Sequence, residues 1–227
     1  MSRTFVLGDI HGAFRALKQC FEKASFDYEN DRLIALGDVC DGWPETKECV
    51  DELLKIKNLI YILGNHDTLL LEWMETGNVP KDWFVYGGEA TCKSYGNYIP
   101  GFHMALLQNA RNYHLEDNRL FVHAGILPGQ KLEAQGPSIF LWDRTLANLV
   151  LDFHSRGVQY KLTEFDEIYI GHTPIVSPHP ILSCEVWMMD TGAGWGRTLS
   201  MMDVHTKETF ISDPVKSLYP GVNGRTK

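Results

Sequence analysis

The chain has 227 residues, of which 44% are hydrophobic and 22% are charged. These values are typical of one globular α/β domain and exclude a disordered, collagen-like or coiled-coil chain. The net charge of -8 argues against general nucleic-acid binding, which needs basic residues that neutralise phosphates. The apolar runs are too short for a membrane span or a signal peptide. Five scattered cysteines fit reduced thiols, which indicates a cytoplasmic protein. Together these features lead us to expect a monomer that binds neither nucleic acid nor membranes.

Apolar periodicity predicts alternating strands and helices over the first third of the chain. In order, these are a strand at 3–7, a helix through 14–21, a strand at 32–36, a helix at 44–56, a strand at 59–63 and a helix at 67–74. Such alternation is typical of βαβ units, in which neighbouring strands run parallel. The first third of the chain is therefore expected to form a parallel sheet.

The rest of the chain follows a different pattern. Residues 77–118 are rich in glycine, proline and aromatic side chains without a clear period, which predicts a loop-rich insertion. Short strands are predicted at 120–122 and 168–170, with a helix at 141–153 between them, and three antiparallel strands at 185–189, 198–204 and 208–212. The expected organisation is one domain over 1–212, followed by a poorly ordered C-terminal tail at 213–227.

Five predicted strands are each followed by glycine and by side chains that can bind a metal ion. The segments are Gly8-Asp9-Ile10-His11-Gly12, Gly37-Asp38-Val39-Cys40-Asp41-Gly42, Gly64-Asn65-His66-Asp67, His123-Ala124-Gly125 and Gly171-His172-Thr173-Pro174. Each alone could be an ordinary turn or a hydrogen-bonded core histidine. In open α/β sheets, however, ligands bind beyond the carboxyl ends of the strands. All five segments in order therefore predict one shared site.

The donor types in these segments indicate which ions they suit. The candidate ligands are Asp9, His11, Asp38, Asn65, His123 and His172. Mixed carboxylate, imidazole and amide donors suit two divalent ions such as manganese, iron or zinc. Asp9 and His11 can grip one ion, and Asp38 can bridge to the other. Two divalent cations and two aspartates leave an excess of positive charge that would attract a phosphate dianion.

This series of motifs resembles the calcineurin-like metallophosphoesterases, and within them the small bacterial and bacteriophage-type serine/threonine protein phosphatases. The resemblance spans about residues 5–204. Weaker signatures also match, at Gly87-Gly88-x-x-Thr91-x-x-Ser94-Tyr95, Leu141-Trp142-Asp143-Arg144 and Asp190-Thr191-Gly192-Ala193. The resemblance implies an α/β fold, a β-sandwich of two mixed sheets flanked by helices, with a dinuclear metal site at the carboxyl ends of the strands.

The resemblance also implies roles for individual residues. Asp9, His11 and Asp38 match the ligands of the first ion, and Asp38, Asn65, His123 and His172 match those of the second, manganese being the expected metal. The nucleophile is implied to be a hydroxide that bridges the ions. His66 matches the general acid and Asp41 its carboxylate partner. Arg144 matches a residue that grips the phosphate.

Two positions depart from the family pattern. The family usually has arginine after the aspartate that corresponds to Asp41, whereas this chain has Gly42-Trp43. This change leaves Arg144 as the one arginine expected to hold the phosphate. Asp67 stands where glutamate is common, which we expect to matter little because either acid favours a helix start. The aromatic residues Trp83 and Tyr86 could line a substrate groove or form a small satellite core.

The leading prediction is a metal-dependent phosphatase that removes phosphate from phosphoserine and phosphothreonine in proteins. A symmetrical dinucleoside polyphosphatase, or another hydrolase of small phosphoesters, is the alternative enzyme on the same scaffold. A non-catalytic phosphate-binding scaffold is the alternative outside enzymes. It would be expected if ligands or the acid were missing, yet all six ligand positions and His66 are present.

Overall fold

A computed structural model describes residues 2–225 and contains two five-stranded sheets with eight α-helices. The strands are β1 Thr4–Leu7, β2 Arg32–Ala35, β3 Asn58–Tyr61, β4 Tyr113–Glu116, β5 Arg119–Val122, β6 Glu167–Ile170, β7 Ile181–Ser183, β8 Val186–Met188, β9 Ser200–Asp203 and β10 Thr209–Ile211. The helices are α1 Phe14–Ala24, α2 Thr46–Leu53, α3 Asn65–Thr76, α4 Gly88–Tyr95, α5 Gly101–Gln108, α6 Pro137–Trp142, α7 Thr145–Arg156 and α8 Val215–Leu218.

Both sheets mix parallel and antiparallel pairs. The first has the order β10-β9-β1-β2-β3, in which β1, β2 and β3 are parallel and β9 and β10 are antiparallel additions at one edge. The second has the order β4-β5-β6-β8-β7, with β5, β6 and β8 parallel and an antiparallel strand at each edge. This topology confirms the predicted fold of two mixed sheets flanked by helices.

The two sheets face each other across a buried apolar layer. Val6 and Ile34 of the first sheet meet Phe121 and Tyr169 of the second, and the two aromatic rings stack at 4.7 Å between centroids. Fully burying one large apolar side chain contributes about 1.5–3 kcal/mol, so this layer holds the sheets firmly together. Separate apolar clusters fill the outer faces, where α1, α2 and α3 cover the first sheet and α7 covers the second. Both faces of the central parallel strands are thus buried, as is usual for such strands.

The sheet membership of β8 differs from the prediction. We expected residues 185–189, 198–204 and 208–212 to be three antiparallel strands, but β8 lies parallel to β6 in the second sheet, whereas β9 and β10 form a hairpin in the first. The predicted helix at 141–153 is also broken, because the backbone at Asp143 is extended. The break between α6 and α7 turns Arg144 toward the end of the sheets.

The predicted loop-rich insertion at 77–118 contains regular structure. It holds a 3₁₀ turn at Trp83–Tyr86, then α4, α5 and the edge strand β4. Both helices have only eight residues, and each begins at a glycine. Helices of two turns give too few apolar repeats for a periodicity to be recognised in the sequence. Their stability comes from packing: α4 lies against α2, and α5 lies against α3.

The C-terminal segment is packed against the domain, contrary to the predicted disorder after residue 212. Val215 in α8 and Tyr219 are buried, and the Tyr219 ring stacks on Trp43 at 5.1 Å. The Arg15 guanidinium donates a hydrogen bond to the carbonyl of Leu218. The segment is rich in Pro, Gly and Asn, which have little preference for regular structure, but the packing of these side chains against the domain orders it. Thr226 and Lys227 of the predicted tail lie outside the described residues.

Within residues 2–225, none of the helices combines the length and the apolar character that crossing a membrane requires.

Candidate metal centre

The six predicted ligands converge at the carboxyl ends of five strands, where the two sheets meet. Asp9 and His11 follow β1, Asp38 follows β2 and Asn65 follows β3, so these four come from the first sheet. His123 follows β5 and His172 follows β6, so these two come from the second sheet. All six side chains are buried. Because these positions lie far apart in the chain, the folding of both sheets is needed to assemble the cluster.

The donor atoms form two groups that share Asp38. In the first group, His11 Nε2 lies 4.0 Å from Asp9 Oδ2 and 3.8 Å from Asp38 Oδ2. In the second, His123 Nε2 lies 3.5 Å from the same Asp38 oxygen and 3.0 Å from Asn65 Oδ1. These separations are those of donor atoms that face a common point. One Asp38 oxygen thus lies between the two groups, and its role as a bridging ligand stays a prediction.

Hydrogen bonds to the backbone orient two of the imidazoles. His11 donates from Nδ1 to the carbonyl of Cys40 at 2.9 Å, and His123 donates from Nδ1 to the carbonyl of Leu36 at 2.7 Å. A carbonyl can only accept, so Nδ1 carries a proton in both rings, and Nε2 is the nitrogen that could bind an ion. Such a second hydrogen bond is the usual way to fix the ring and tautomer of a metal-binding histidine.

Four residues of the site have left-handed backbone conformations. The φ angles are 53° at His11, 52° at Asp38, 73° at Asp41 and 62° at His172. Non-glycine residues seldom adopt these angles, and such strain is concentrated at functional sites, where the surrounding structure enforces it. The turns after β1, β2 and β6 therefore hold their side chains at an energetic cost.

Glycines beside the ligands allow the backbone to approach them closely. A Cβ atom at Gly64 would lie 2.1 Å from Asp38 Oδ1, and one at Gly171 would lie 2.1 Å from Asp9 Oδ1. Neither oxygen can retreat, because Asp38 Oδ1 accepts the His66 amide proton and Asp9 accepts that of His172. Both glycines are thus required by the packing of the ligands, as the motifs predict.

The electrostatics of the cluster favour the binding of cations. Burial and the repulsion from Asp190 and Asp38 raise the pKa of Asp9 well above its usual value. Burial and the charge of Asp38 also raise the pKa of Asp190 to about 6. Concentrated buried carboxylates are costly unless positive charge compensates them. Two divalent transition-metal ions fit this charge and the mixed oxygen and nitrogen donors. Among the described residues, the acidic and imidazole side chains that are close enough to hold an ion form two sets, His11-Asp38-His66 and Asp38-His123-His172.

His66, which lies near His11 and Asp38, forms a buried pair with Asp41. His66 Nδ1 lies 2.7 Å from Asp41 Oδ2, which also accepts the indole N–H of Trp83 at 2.7 Å. The other oxygen, Asp41 Oδ1, accepts the Thr91 hydroxyl proton at 2.8 Å. The sequence predicts Trp83 only in a substrate groove or in a satellite core. The structure shows that the segment from 83 to 91 holds the carboxylate that orients His66.

The environment of His66 favours its protonated form. Burial alone lowers the pKa of an imidazole, but the negative charges of Asp38 and Asp41 outweigh it, and the net effect raises the pKa of His66. A general acid needs to carry its proton at neutral pH. The raised pKa of His66 is a shift in the direction that a general acid requires.

Asp67 has a larger structural role than the sequence suggested. Its carboxylate accepts the backbone N–H groups of Asp38 and Val39 at 2.9 Å each and the Tyr61 hydroxyl proton at 2.8 Å. These bonds join the start of α3 to the turn that carries Asp38. The expectation that glutamate and aspartate differ little here considered only the helix dipole and missed this clamp.

A cleft opens over the cluster, and two arginines line it. Arg144 Nε donates to His172 Nε2 at 3.2 Å, and the Arg225 Nη1 atom lies 3.3 Å from His11 Nε2. Tyr86 and Trp142 are 43% and 48% exposed, so they present aromatic surface at the cleft. Arg144 was predicted to lie at the site, but Arg225 was not. No motif in the sequence indicates a role for Arg225, because it lies within the predicted tail at 213–227.

Comparison with known proteins agrees with this geometry. The model of the calcineurin-like phosphoesterase family matches residues 2–175, which is most of the chain. The chain therefore belongs to the calcineurin-like phosphoesterases.

Its relatives have more than one activity in their names. A serine/threonine-protein phosphatase 1 from Salmonella typhimurium is 24% identical over 210 residues, covering 87% of this chain and 89% of the relative. A symmetrical bis(5'-nucleosyl)-tetraphosphatase from Coxiella burnetii is 28% identical over 130 residues, which cover 55% of this chain and 42% of that protein. The chain thus spans less than half the length of that relative. A crystal structure described as a putative diadenosine tetraphosphatase has the same fold, with a TM-score of 0.68, 18% identity and 92% coverage of both chains.

Proposed function

We propose that this protein hydrolyses phosphomonoesters, with phosphoserine and phosphothreonine in proteins as its substrates. The observation that carries the proposal is the hydrogen-bonded His66–Asp41 pair, whose histidine lies within reach of His11 and Asp38 in the buried cluster of metal-binding side chains. Asp9, His11 and Asp38 would hold one ion, and Asp38, Asn65, His123 and His172 the other. When bound, two divalent ions supply positive charge to the phosphate and make a water molecule more acidic and more nucleophilic.

The protein's own residues then account for the rest of the reaction. Arg144 binds the phosphate oxygens from the open side of the cleft. As water attacks phosphorus, the phosphorus–oxygen bond to the serine side chain breaks, and the leaving alkoxide takes the proton of His66. Asp41 holds the imidazole in place and stabilises its protonated form. Trp83 and Thr91 keep Asp41 fixed through their hydrogen bonds.

The relatives support two substrate classes. The match to a serine/threonine-protein phosphatase covers most of both chains, which favours a phosphoprotein substrate. The alternative is a symmetrical dinucleoside polyphosphatase or another small-phosphoester hydrolase, and the exposed rings of Tyr86 and Trp142 could stack on a base. A phosphate-binding scaffold without activity is the third candidate. The presence of both metal groups and of the His66–Asp41 pair argues against it.

A substrate panel tests the proposal. Purified protein with added manganese would be assayed on a phosphoserine peptide, a phosphothreonine peptide, dinucleoside tetraphosphate and p-nitrophenyl phosphate. We expect the two peptides to be hydrolysed with the highest kcat/KM. A preference for the dinucleotide would establish the alternative enzyme, and the absence of turnover on all four would favour the scaffold.

Arg144→Ala should lower kcat/KM by about 10–1000-fold, because a charge-assisted contact to a buried anion is worth about 1.5–4 kcal/mol. The loss should appear with every substrate in the panel, since each presents the same phosphate group. Arg156→Ala is the matched control: that arginine is exposed, and its one ion pair within residues 2–225 is with Asp152 on the surface of α7. Kinetics of Arg144→Ala equal to those of the control would assign the phosphate contact to other groups.

A further inference from the structure

The C-terminal segment delivers a guanidinium group to the centre of the cleft. The Arg225 Nη1 atom lies 3.3 Å from His11 Nε2, and its guanidinium lies 4.7 Å from the ring centroid of Trp195. The backbone N–H of Arg225 donates to the carbonyl of Gly194, which fixes the chain at this point. Among the residues from 2 to 225 that line the cleft, Arg144 and Arg225 are the two that carry a permanent positive charge.

The residues after Asp41 make room for this arginine. A Cβ atom at Gly42 would lie 2.9 Å from Arg225 Cγ, and the φ of 122° at Gly42 is unfavourable for any other residue. A side chain at position 42 and the observed position of Arg225 are therefore incompatible. The Gly42-Trp43 pair removed the arginine expected at this point, and in the structure the space it leaves contains Arg225.

Trp43 anchors the segment that carries Arg225. Its indole N–H donates to the Ala193 carbonyl at 2.8 Å, and one face of the ring stacks on Tyr219. A Cβ atom at Gly224 would lie 2.6 Å from Trp43 Cζ2, so the backbone next to Arg225 passes directly over the indole. Gly42 thus provides space and Trp43 provides a platform, and together they place the end of the segment over the metal-binding groups.

The side chain of Arg225 lacks the partners that a structural arginine has. Its Nε is buried and has no hydrogen-bond acceptor anywhere in residues 2–225, and the described ion pairs include none with Arg225. Its nearest polar contact is an imidazole, which is a weak partner for a guanidinium compared with an anion. A buried donor without an acceptor costs about 1–3 kcal/mol, so its retention calls for a ligand that supplies the acceptor. A phosphate oxygen would do so.

We propose that Arg225 is the second phosphate-binding residue of the site, and that it grips the substrate phosphate opposite Arg144. This inference rests on the proposed phosphoesterase function. A guanidinium presents a planar fork of donors that matches two phosphate oxygens, and Arg144 approaches from the exposed side of the cleft while Arg225 approaches from the side of His11. The tail is thus part of the substrate site.

The test compares Arg225→Ala, Arg225→Lys and the exposed-arginine control Arg156→Ala, all loaded with manganese. Binding of inorganic phosphate is measured by calorimetry, and KM and kcat are measured with p-nitrophenyl phosphate. Arg225→Ala should weaken phosphate binding and raise KM by about 10–100-fold, the usual worth of a charge-assisted hydrogen bond. Arg225→Lys should recover part of the loss, because it keeps the charge without the fork, and Arg156→Ala should match the wild type.

Metal content and thermal unfolding of each variant separate this role from others. The proposal predicts unchanged metal content, together with partial rescue by lysine. Phosphate affinity of Arg225→Ala equal to that of the wild type would overturn it. So would a gain in bound metal and activity, which would show that Arg225 competes with an ion at His11. If the wild type is inactive on every substrate, the proposed function itself fails, whereas an active wild type with an unaffected Arg225→Ala refutes only the role of Arg225.

Discussion

His66→Asn should slow the hydrolysis of a phosphoserine peptide by roughly 100–10,000-fold, the range typical of general acid catalysis. The serine alkoxide is a poor leaving group and needs a proton in the transition state. The p-nitrophenolate anion is a far better leaving group, so hydrolysis of p-nitrophenyl phosphate should decline distinctly less. The ratio of the two losses is the diagnostic measurement, because a structural defect would slow both reactions alike.

Three further variants sharpen this result. Asp41→Asn should give a milder form of the same pattern, because it removes the charge that orients His66 and favours its protonated form. Trp83→Phe removes only one hydrogen bond to Asp41 and should be milder still. His154→Asn is the matched control at an exposed position of α7. Equal losses on both substrates in His66→Asn, with metal retained, would make His66 a binding residue.

His66→Asn also tests the division of the cluster into ligands and acid. His66 lies within reach of His11 and Asp38, so its ring could itself contact an ion. We expect the metal content of His66→Asn to equal that of the wild type, since the variant keeps all six proposed ligands. Loss of metal in this variant would reassign His66 as a ligand.

Asp38→Asn should reduce bound manganese from about two ions per chain to below one, the two-ion content being that expected of this type of centre. One Asp38 oxygen faces both His11 and His123, so an amide nitrogen at that position would remove a ligand from both groups. Activity should fall by at least about 100-fold, because residues that merely support metal ligands are already worth about 10–100-fold. Elemental analysis after manganese loading and dialysis measures the first effect, and the substrate panel measures the second.

Asp117→Asn provides the comparison for Asp38→Asn. Asp117 is exposed in the turn between β4 and β5 and has a left-handed backbone that asparagine tolerates well. It should bind metal and turn over substrate like the wild type. A wild-type protein that binds no metal and stays active in a chelator would contradict the dinuclear centre altogether.

The parts of the site that could be predicted from sequence are those in which one short segment carries both the structure and the chemistry. Asp9, Asp38 and His172 each follow an apolar strand directly, and strand ends are recognisable from local pattern. The pairing of His66 with Asp41 was implied by the resemblance of their two segments to the family motifs, and the structure places the two side chains in hydrogen-bond contact. The bounds of α2 were predicted less accurately, and the break after α6 was not predicted. Helix caps and single extended residues leave only weak signals in the sequence.

The parts that could not be predicted depend on contacts between distant residues. Arg225 reaches His11 across more than two hundred positions, and nothing near either residue encodes the meeting. Trp83 was recognisable as an aromatic residue of the insertion but not as a donor to Asp41. The placement of β8 beside β6 likewise depends on which apolar faces meet in three dimensions, which strand periodicity does not specify.

The distribution of the ligands over two sheets has a mechanical consequence. Asp38 and Asn65 belong to the first sheet, whereas His123 and His172 belong to the second, and the distances between their donor atoms are set by how the sheets lie against each other. That relation is maintained by the apolar layer between the sheets, in which Val6 and Ile34 of the first sheet cluster with Phe121 and Tyr169 of the second. A shift of one sheet by a fraction of an ångström would be transmitted directly to the second group of donors. The affinity for the ion held by the second group of donors therefore depends on the packing between the sheets. Substitutions in that apolar layer would change this affinity even where they leave the chain folded.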